Sequence, residues 1–116
     1  MAGDDKRRTA DRADRIIVLI TAGNEEEARM IAELLINDKK AACVNIVSRV
    51  HSLFRWKGKI DSAHESILLV KTRASLLSEI ISLVKEAHSY EVPEIIALPV
   101  VGGSEEYVRW LDNACR

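Results

Sequence analysis

The chain has 116 residues, 47% of them hydrophobic and 30% charged, and its 17 basic and 18 acidic side chains leave a net charge of −1. That is enough chain for one soluble domain with one core, and it carries no global field to draw in nucleic acid or an anionic membrane. Two cysteines in no metal-type or disulfide-framework spacing, and no apolar run near the roughly 18 residues a membrane span needs, point to a reducing, cytoplasmic setting.

Residues 1–14 mix acidic and basic side chains and lack the apolar core of a secretory signal. They read as a solvated, disordered extension, leaving 15–116 as a single domain. Arg15 to Thr21 (RIIVLIT) is short, β-branched and apolar, as suits a strand buried on both faces. Asn24 reads as an N-cap with Glu27 three residues on, a variant of the capping box. Ala28, Ile31, Ala32 and Leu35 then recur at helical spacing and predict a helix over 25–37.

Two long β-like runs follow, flanking one tight turn between Ala41 and Thr72. The first, Ala41 to Trp56, would span roughly 50 Å if extended, whereas a chain of this size has a radius of gyration of about 13 Å. A hairpin that long must be solvated, bent or packed on another subunit, and Leu53, Phe54 and Trp56 near its tip favour packing. Either Lys57-Gly58 or Gly58-Lys59 can form the two-residue turn, because glycine supplies the positive φ.

A second helix is expected over Ser75–Ala87, with Leu77, Ile80, Ile81 and Val84 as its stripe. Val92 to Val101 reads as the last strand, with Pro93 and Pro99 at its ends or on a sheet edge. Gly102-Gly103 breaks it, and Ser104 caps a short final helix anchored by Tyr107, Trp110 and Leu111. The order β-α-β-β-α-β-α matches, in its first six elements, the ferredoxin-like α+β sandwich. Both main helices then cover one sheet face. The other face is left apolar and open, a second argument for an oligomer.

Val18–Ala22 (VLITA), Ala41–Ile46 (AACVNI), Trp56–Ile60 (WKGKI), Glu65, Lys71-Thr72 and His88–Ile96 (HSYEVPEII) stand in a familiar order, continued by Pro99, Gly103, Tyr107 and Trp110. With these motifs the chain resembles the CutA family, the divalent-cation tolerance proteins. The resemblance implies a homotrimer built through the long hairpins, kinship in architecture with PII signal proteins, a link to copper and divalent-metal tolerance, and no firmly attached reaction. Some members carry suspected copper ligands at three positions. In this chain two of the three are Ile20 and Ala87, and only His88 remains.

The chemistry-bearing residues each have two readings. Cys43 is either a soft ligand for Cu(I) or a small core residue. With Lys57-Gly58 as the turn, His51 and His64 face each other across the hairpin and could share a zinc or copper ion. The bland alternative is two exposed polar side chains. His88 and Glu91 could hold a metal together, or His88 could simply end a helix. Trp56, Glu65, Lys71, Tyr90 and Glu94 could line a cleft between subunits where Lys71 and Tyr90 hold a small anion. Alternatively they form an interface network in which Lys71 pairs with a carboxylate. No nucleophile elbow, HExxH or CxxC occurs. The reading is therefore a non-enzymatic, divalent-metal-associated homotrimer, with a PII-like effector sensor as the alternative and a hydrolase built on Cys43 and His88 as an outsider.

Overall fold

The computed structural model describes residues 14–116. The proposed disordered extension lies outside them, apart from Asp14. Strand β1 (Arg15–Ala22) is followed by helix α1 (Glu25–Asn37), strands β2 (Cys43–Trp56) and β3 (Lys59–Arg73), a 3-10 turn (Ala74–Leu76), helix α2 (Leu77–Ala87), strand β4 (Ile95–Pro99) and helix α3 (Glu105–Ala114). The strands form one antiparallel sheet in the order β2-β3-β1-β4, the expected ferredoxin-like arrangement.

Helix α1 begins where its sequence says it should. The Asn24 side chain accepts from the Glu27 N–H, and Glu25, Glu26 and Glu27 meet the positive end of the helix dipole. Its C-terminus closes as a Schellman motif, with Lys39 N–H on the Ile36 carbonyl and Lys40 N–H on that of Leu35. Lys39 takes the left-handed position (φ 59°) that glycine usually fills.

Alternation along the central strands divides the sheet. Ile16, Val18, Ile20 and Ala22 of β1 pair with Thr72, Val70, Leu68 and Ser66 of β3. All eight are buried beneath Ala28, Ile31 and Leu35 of α1 and Ile80 and Val84 of α2. The opposite face carries Ile17, Leu19, Ile67 and Leu69 half-buried, and Val47, Ile96 and Leu98 exposed. A face this apolar, without a helix over it, is the open surface that the element order predicted.

Helix α3 closes one end of the sheet. Arg15 donates to both carboxylate oxygens of Asp112 (2.9 and 2.6 Å), and this pairing holds the Asp112 pKa below the usual range. Leu111 and Cys115 are the buried anchors of α3. Tyr107 and Trp110, expected as anchors, instead stay about half exposed, their rings tilted at 44° to each other with centroids 5.4 Å apart. Burial raises the Cys115 thiol pKa, so this residue is packing rather than chemistry.

Three boundaries differ from expectation. The last strand covers Ile95–Pro99 rather than 92–101, because β4 is an edge strand that pairs only with Ile16–Ile20 of β1. Pro93 is buried just before it and turns the chain inward. The second helix starts at Leu77 rather than Ser75, after the 3-10 turn and without a side-chain cap. The hairpin is also irregular. Val47 pairs with Ile67 but Val50 with Glu65, so Ser48 and Arg49 together oppose a single residue. Arg49 absorbs the extra residue at φ 61°, a β-bulge that bends and twists the strand. Beyond it the ladder runs to Trp56–Lys59 across a Lys57-Gly58 turn with φ of 50° and 77°, the two positive values a type I′ turn requires. The hairpin gives the molecule its 47 Å long axis and a radius of gyration of 15.6 Å, above the roughly 13 Å of a compact chain of this length.

Candidate functional site

The distal hairpin and the segment that joins α2 to β4 enclose an open cleft of about 760 Å³. Ser52, Leu53, Phe54, Trp56 and Glu65 come from the hairpin, Thr21 from β1, and Tyr90, Glu91, Val92 and Glu94 from the joining segment. Four of the five residues expected to line a cleft are here: Trp56, Glu65, Tyr90 and Glu94. Glu91 joins them.

The bulge explains why Phe54 and Trp56 belong to this group. Before it, the even-numbered residues of β2 (Val44, Ile46) pack against the helix-covered core. After it, even-numbered Ser52 and Phe54 pair with odd-numbered Ala63 and Asp61 of β3, which share the open face with Glu65. One inserted residue thus moves the even positions from one face to the other.

Hydrogen bonds fix the floor of the cleft. The Tyr90 hydroxyl donates to Glu65 Oε2 (2.8 Å). Burial first, and then this carboxylate, push the Tyr90 pKa up to about 12, so the phenol is a standing donor. The Tyr90 N–H donates to His88 Nδ1 (3.0 Å). A nitrogen that accepts carries no proton, so the imidazole proton sits on Nε2, which meets the Thr21 carbonyl at 2.6 Å. Both ring nitrogens of His88 are therefore occupied by backbone groups, and the histidine locks the joining segment onto β1.

Glu27 does the same from the other side. Its Oε1 accepts from Gly23 N–H and its Oε2 from Ser89 N–H, each at 2.8 Å. The sequence pattern had it reaching back to its own N-cap. Burial works to raise the Glu27 pKa, but these two donors together outweigh it and hold the carboxyl below its ordinary value. A Cβ at Gly23 would meet the Tyr90 ring at 3.6 Å, an ordinary van der Waals contact, so the site leaves room for a small side chain there.

Removing the Glu27 acceptor has a calculable consequence. Glu27→Ala leaves two N–H groups without a partner, at about 1–3 kcal/mol each where water cannot replace it. The pH dependence has a fixed sign. A carboxyl whose pKa is depressed in the folded state adds stability above its unfolded value, near 4.5, and loses it as pH falls through the folded value. Thermal melts should therefore show wild type and Glu27→Gln far apart at pH 7 and converging as the pH drops below 4.5. A constant gap down to pH 2 would remove Glu27 from this role.

The other candidates lie elsewhere. Lys71 is not in the cleft. It stands on the open face toward the opposite end of β3, with its ammonium on the Asn45 amide oxygen and 3.9 Å from Cys43 Sγ. Its partner is thus an amide and a thiol, not the carboxylate expected. Cys43 pairs with Lys71 in register, while His88 touches Thr21, which pairs with Ile67. Four residues of strand, about 13 Å, separate the two sites, so Cys43 and His88 do not form a nucleophile–base pair. His51 and His64 are direct register partners with ring centroids 4.8 Å apart.

Copper ligation by the three family positions does not fit this chain. Ile20 is fully buried in the core, Ala87 offers no donor, and His88 has no free lone pair. Among the described residues no three His, Cys, Asp or Glu side chains converge as a metal-binding group. Glu27 and Thr21 are the functional neighbours that sequence reasoning missed. A Glu in a first helical turn signals only a cap, and a backbone carbonyl leaves no trace in side-chain patterning.

Comparison with known proteins places these features. Residues 16–114 match the family of CutA1 divalent ion tolerance proteins. A chloroplastic protein CutA of Arabidopsis thaliana is 45% identical over 101 residues, which cover 87% of this chain but only 56% of the plant protein. The divalent-cation tolerance protein CutA of Thermus thermophilus is 46% identical over 82% of this chain and 92% of its own length. The solved structure of CutA1 from Oryza sativa superposes with a TM-score of 0.87 at 43% identity, covering 90% of this chain and 96% of that one.

Proposed function

The chain belongs to the CutA1 divalent ion tolerance family, and from that premise we propose that it serves divalent-cation tolerance as a non-enzymatic, cation-binding homotrimer. The observation that carries this reading is the charge of the cleft. Glu65, Glu91 and Glu94 line it and no lysine or arginine does. Glu65 is committed to Tyr90, which leaves Glu91 and Glu94, both exposed, to meet a cation. Carboxylates suit hard ions, and two of them make a weak site that waters or a neighbouring copy complete.

The same charge argues against an anionic effector of the PII type, because Lys71, the cation that reading relied on, lies outside the cleft. Free Cys43 and Cys115 are consistent with a reducing compartment such as the cytoplasm. No helix among the described residues is long and apolar enough to cross a membrane.

Calorimetry on the purified protein tests the reading. Manganese(II) should bind, and a Glu91→Gln/Glu94→Gln variant should lose about tenfold or more in affinity, a difference of roughly 1.4 kcal/mol. Binding of a nucleotide or phosphate in place of the cation would instead establish the effector sensor, and indifference to both would leave the cleft without a ligand role.

A further inference from the structure

The best-placed chemistry outside the cleft is the pair of histidines on the hairpin. His51 and His64 are register partners beyond the bulge. Their rings lie nearly parallel, at 15° with centroids 4.8 Å apart, and both residues are exposed. Alternation along β3 puts His64 on the side of Ser66 and Leu68, the side that carries the helices, so the pair faces away from the cleft. Glu25, Glu65 and Arg49 border the hollow beside His64, so no net positive charge there repels a cation.

We infer that His51 and His64 form a cross-strand chelate for one borderline divalent cation of the zinc, nickel or copper class. The argument is geometric. A neutral imidazole offers one in-plane lone pair, and metal–nitrogen bonds are about 2.0–2.1 Å. Two ligands on adjacent coordination positions therefore stand about 3 Å apart. Stacked rings hold their in-plane lone pairs in two nearly parallel planes, so each ring must turn before both lone pairs meet at one ion. A modest tilt of each exposed ring, from Cβ atoms about 5 Å apart, brings the two nitrogens to that spacing. The backbone need not move. The type I′ turn on one side and the bulge on the other hold the register, so the site is ordered before the metal arrives and loses little entropy on binding. Neither ring nitrogen is engaged by another described residue, in contrast to both nitrogens of His88.

Imidazole prefers zinc, nickel and copper, whereas carboxylate prefers magnesium, calcium and manganese. The hairpin pair and the cleft would thus take different ions, and the two sites stand or fall separately. Water completes the coordination shell, because no third side chain converges with the pair among the described residues.

The test is titration of the full chain with nickel(II) and zinc(II), by calorimetry and by thermal shift. One ion should bind per chain and raise the melting temperature, since it bridges two strands. His51→Ala and His64→Ala should each weaken binding tenfold or more. The double variant should bind no worse than either single one, because a chelate is lost when one arm is lost. Small, additive losses from the two single variants would show two independent surface histidines and overturn the chelate. So would nickel binding that survives the double variant, or no binding at all. Both residues are exposed, so the variants test the site without threatening the fold.

Discussion

Trp56→Asp should turn the proposed trimer of about 39 kDa, three times the 13.0 kDa chain, into free monomers. Trp56 is 58% exposed near the tip of the hairpin, beside Leu53 at 68% and Ile60 at 75%. Large apolar side chains clustered in that setting mark an interaction surface, and the proposed trimer would cover it. Burying a new carboxylate there costs several kcal/mol per site unless it finds a partner. The cleft makes the cost worse, because Trp56 shares it with Glu65, Glu91 and Glu94. A trimer forms three such contacts, so the penalty is levied three times on one equilibrium. Light scattering at micromolar concentration reads the outcome directly. A parent chain that already runs as a monomer, or a variant that keeps the parent mass, would refute assembly through the hairpin.

Leu35→Ala should do the opposite: lower stability sharply and leave the mass alone. Leu35 is fully buried on α1, in the core between the helices and the covered sheet face. Its backbone carbonyl also accepts from Lys40 and Ala41, closing the turn into the hairpin. Truncation removes most of the side chain and leaves a cavity, for about 2–5 kcal/mol. For a domain of this size that is on the order of 10 °C or more in melting temperature. Melting must be compared at equal protein concentration, since assembly stabilises the folded chain by mass action. A shift under about 3 °C would mean that the site collapses to fill the void.

The two variants probe opposite faces of one sheet, and the sequence disclosed those faces unequally. The covered face was legible because Ala28, Ile31, Ala32 and Leu35 repeat at helical spacing, while Ile16, Val18 and Ile20 alternate on β1. The turn was legible to within one residue, because Gly58 suits either Lys57-Gly58 or Gly58-Lys59, and the structure takes the first, which pairs His51 with His64. The bulge was not. Ser48 and Arg49 are ordinary residues, and no glycine marks the left-handed position that Arg49 adopts. A reader who keeps strict alternation from Val44 therefore puts Phe54 and Trp56 on the wrong side.

The cleft was half legible for a similar reason. Glu65, Tyr90 and Glu94 stood out as polar residues in distinctive motifs. Lys71 stood out equally but points elsewhere, since only the register along β3 tells that it sits six residues from Glu65 on the same strand. Glu27 escaped because its role needs Ser89, which approaches it only after α2 has folded back.

The placement of β1 between β3 and β4 also sets the order of events when the chain folds. The hairpin joins neighbours in sequence, from Trp56–Lys59 outward, and such a unit can zip within roughly 1–10 μs. The rest of the sheet waits on distant encounters, because Ile16 must find Pro99 near the other end of the chain, and contacts of that span are slow to form. The part of the molecule that reaches furthest into solvent is thus expected to be the first made. It presents Phe54 and Trp56 to the surroundings before the sheet that aims them is complete. Productive folding then becomes a race between finishing the domain and premature sticking of hairpin to hairpin, and it should be won more often in dilute solution.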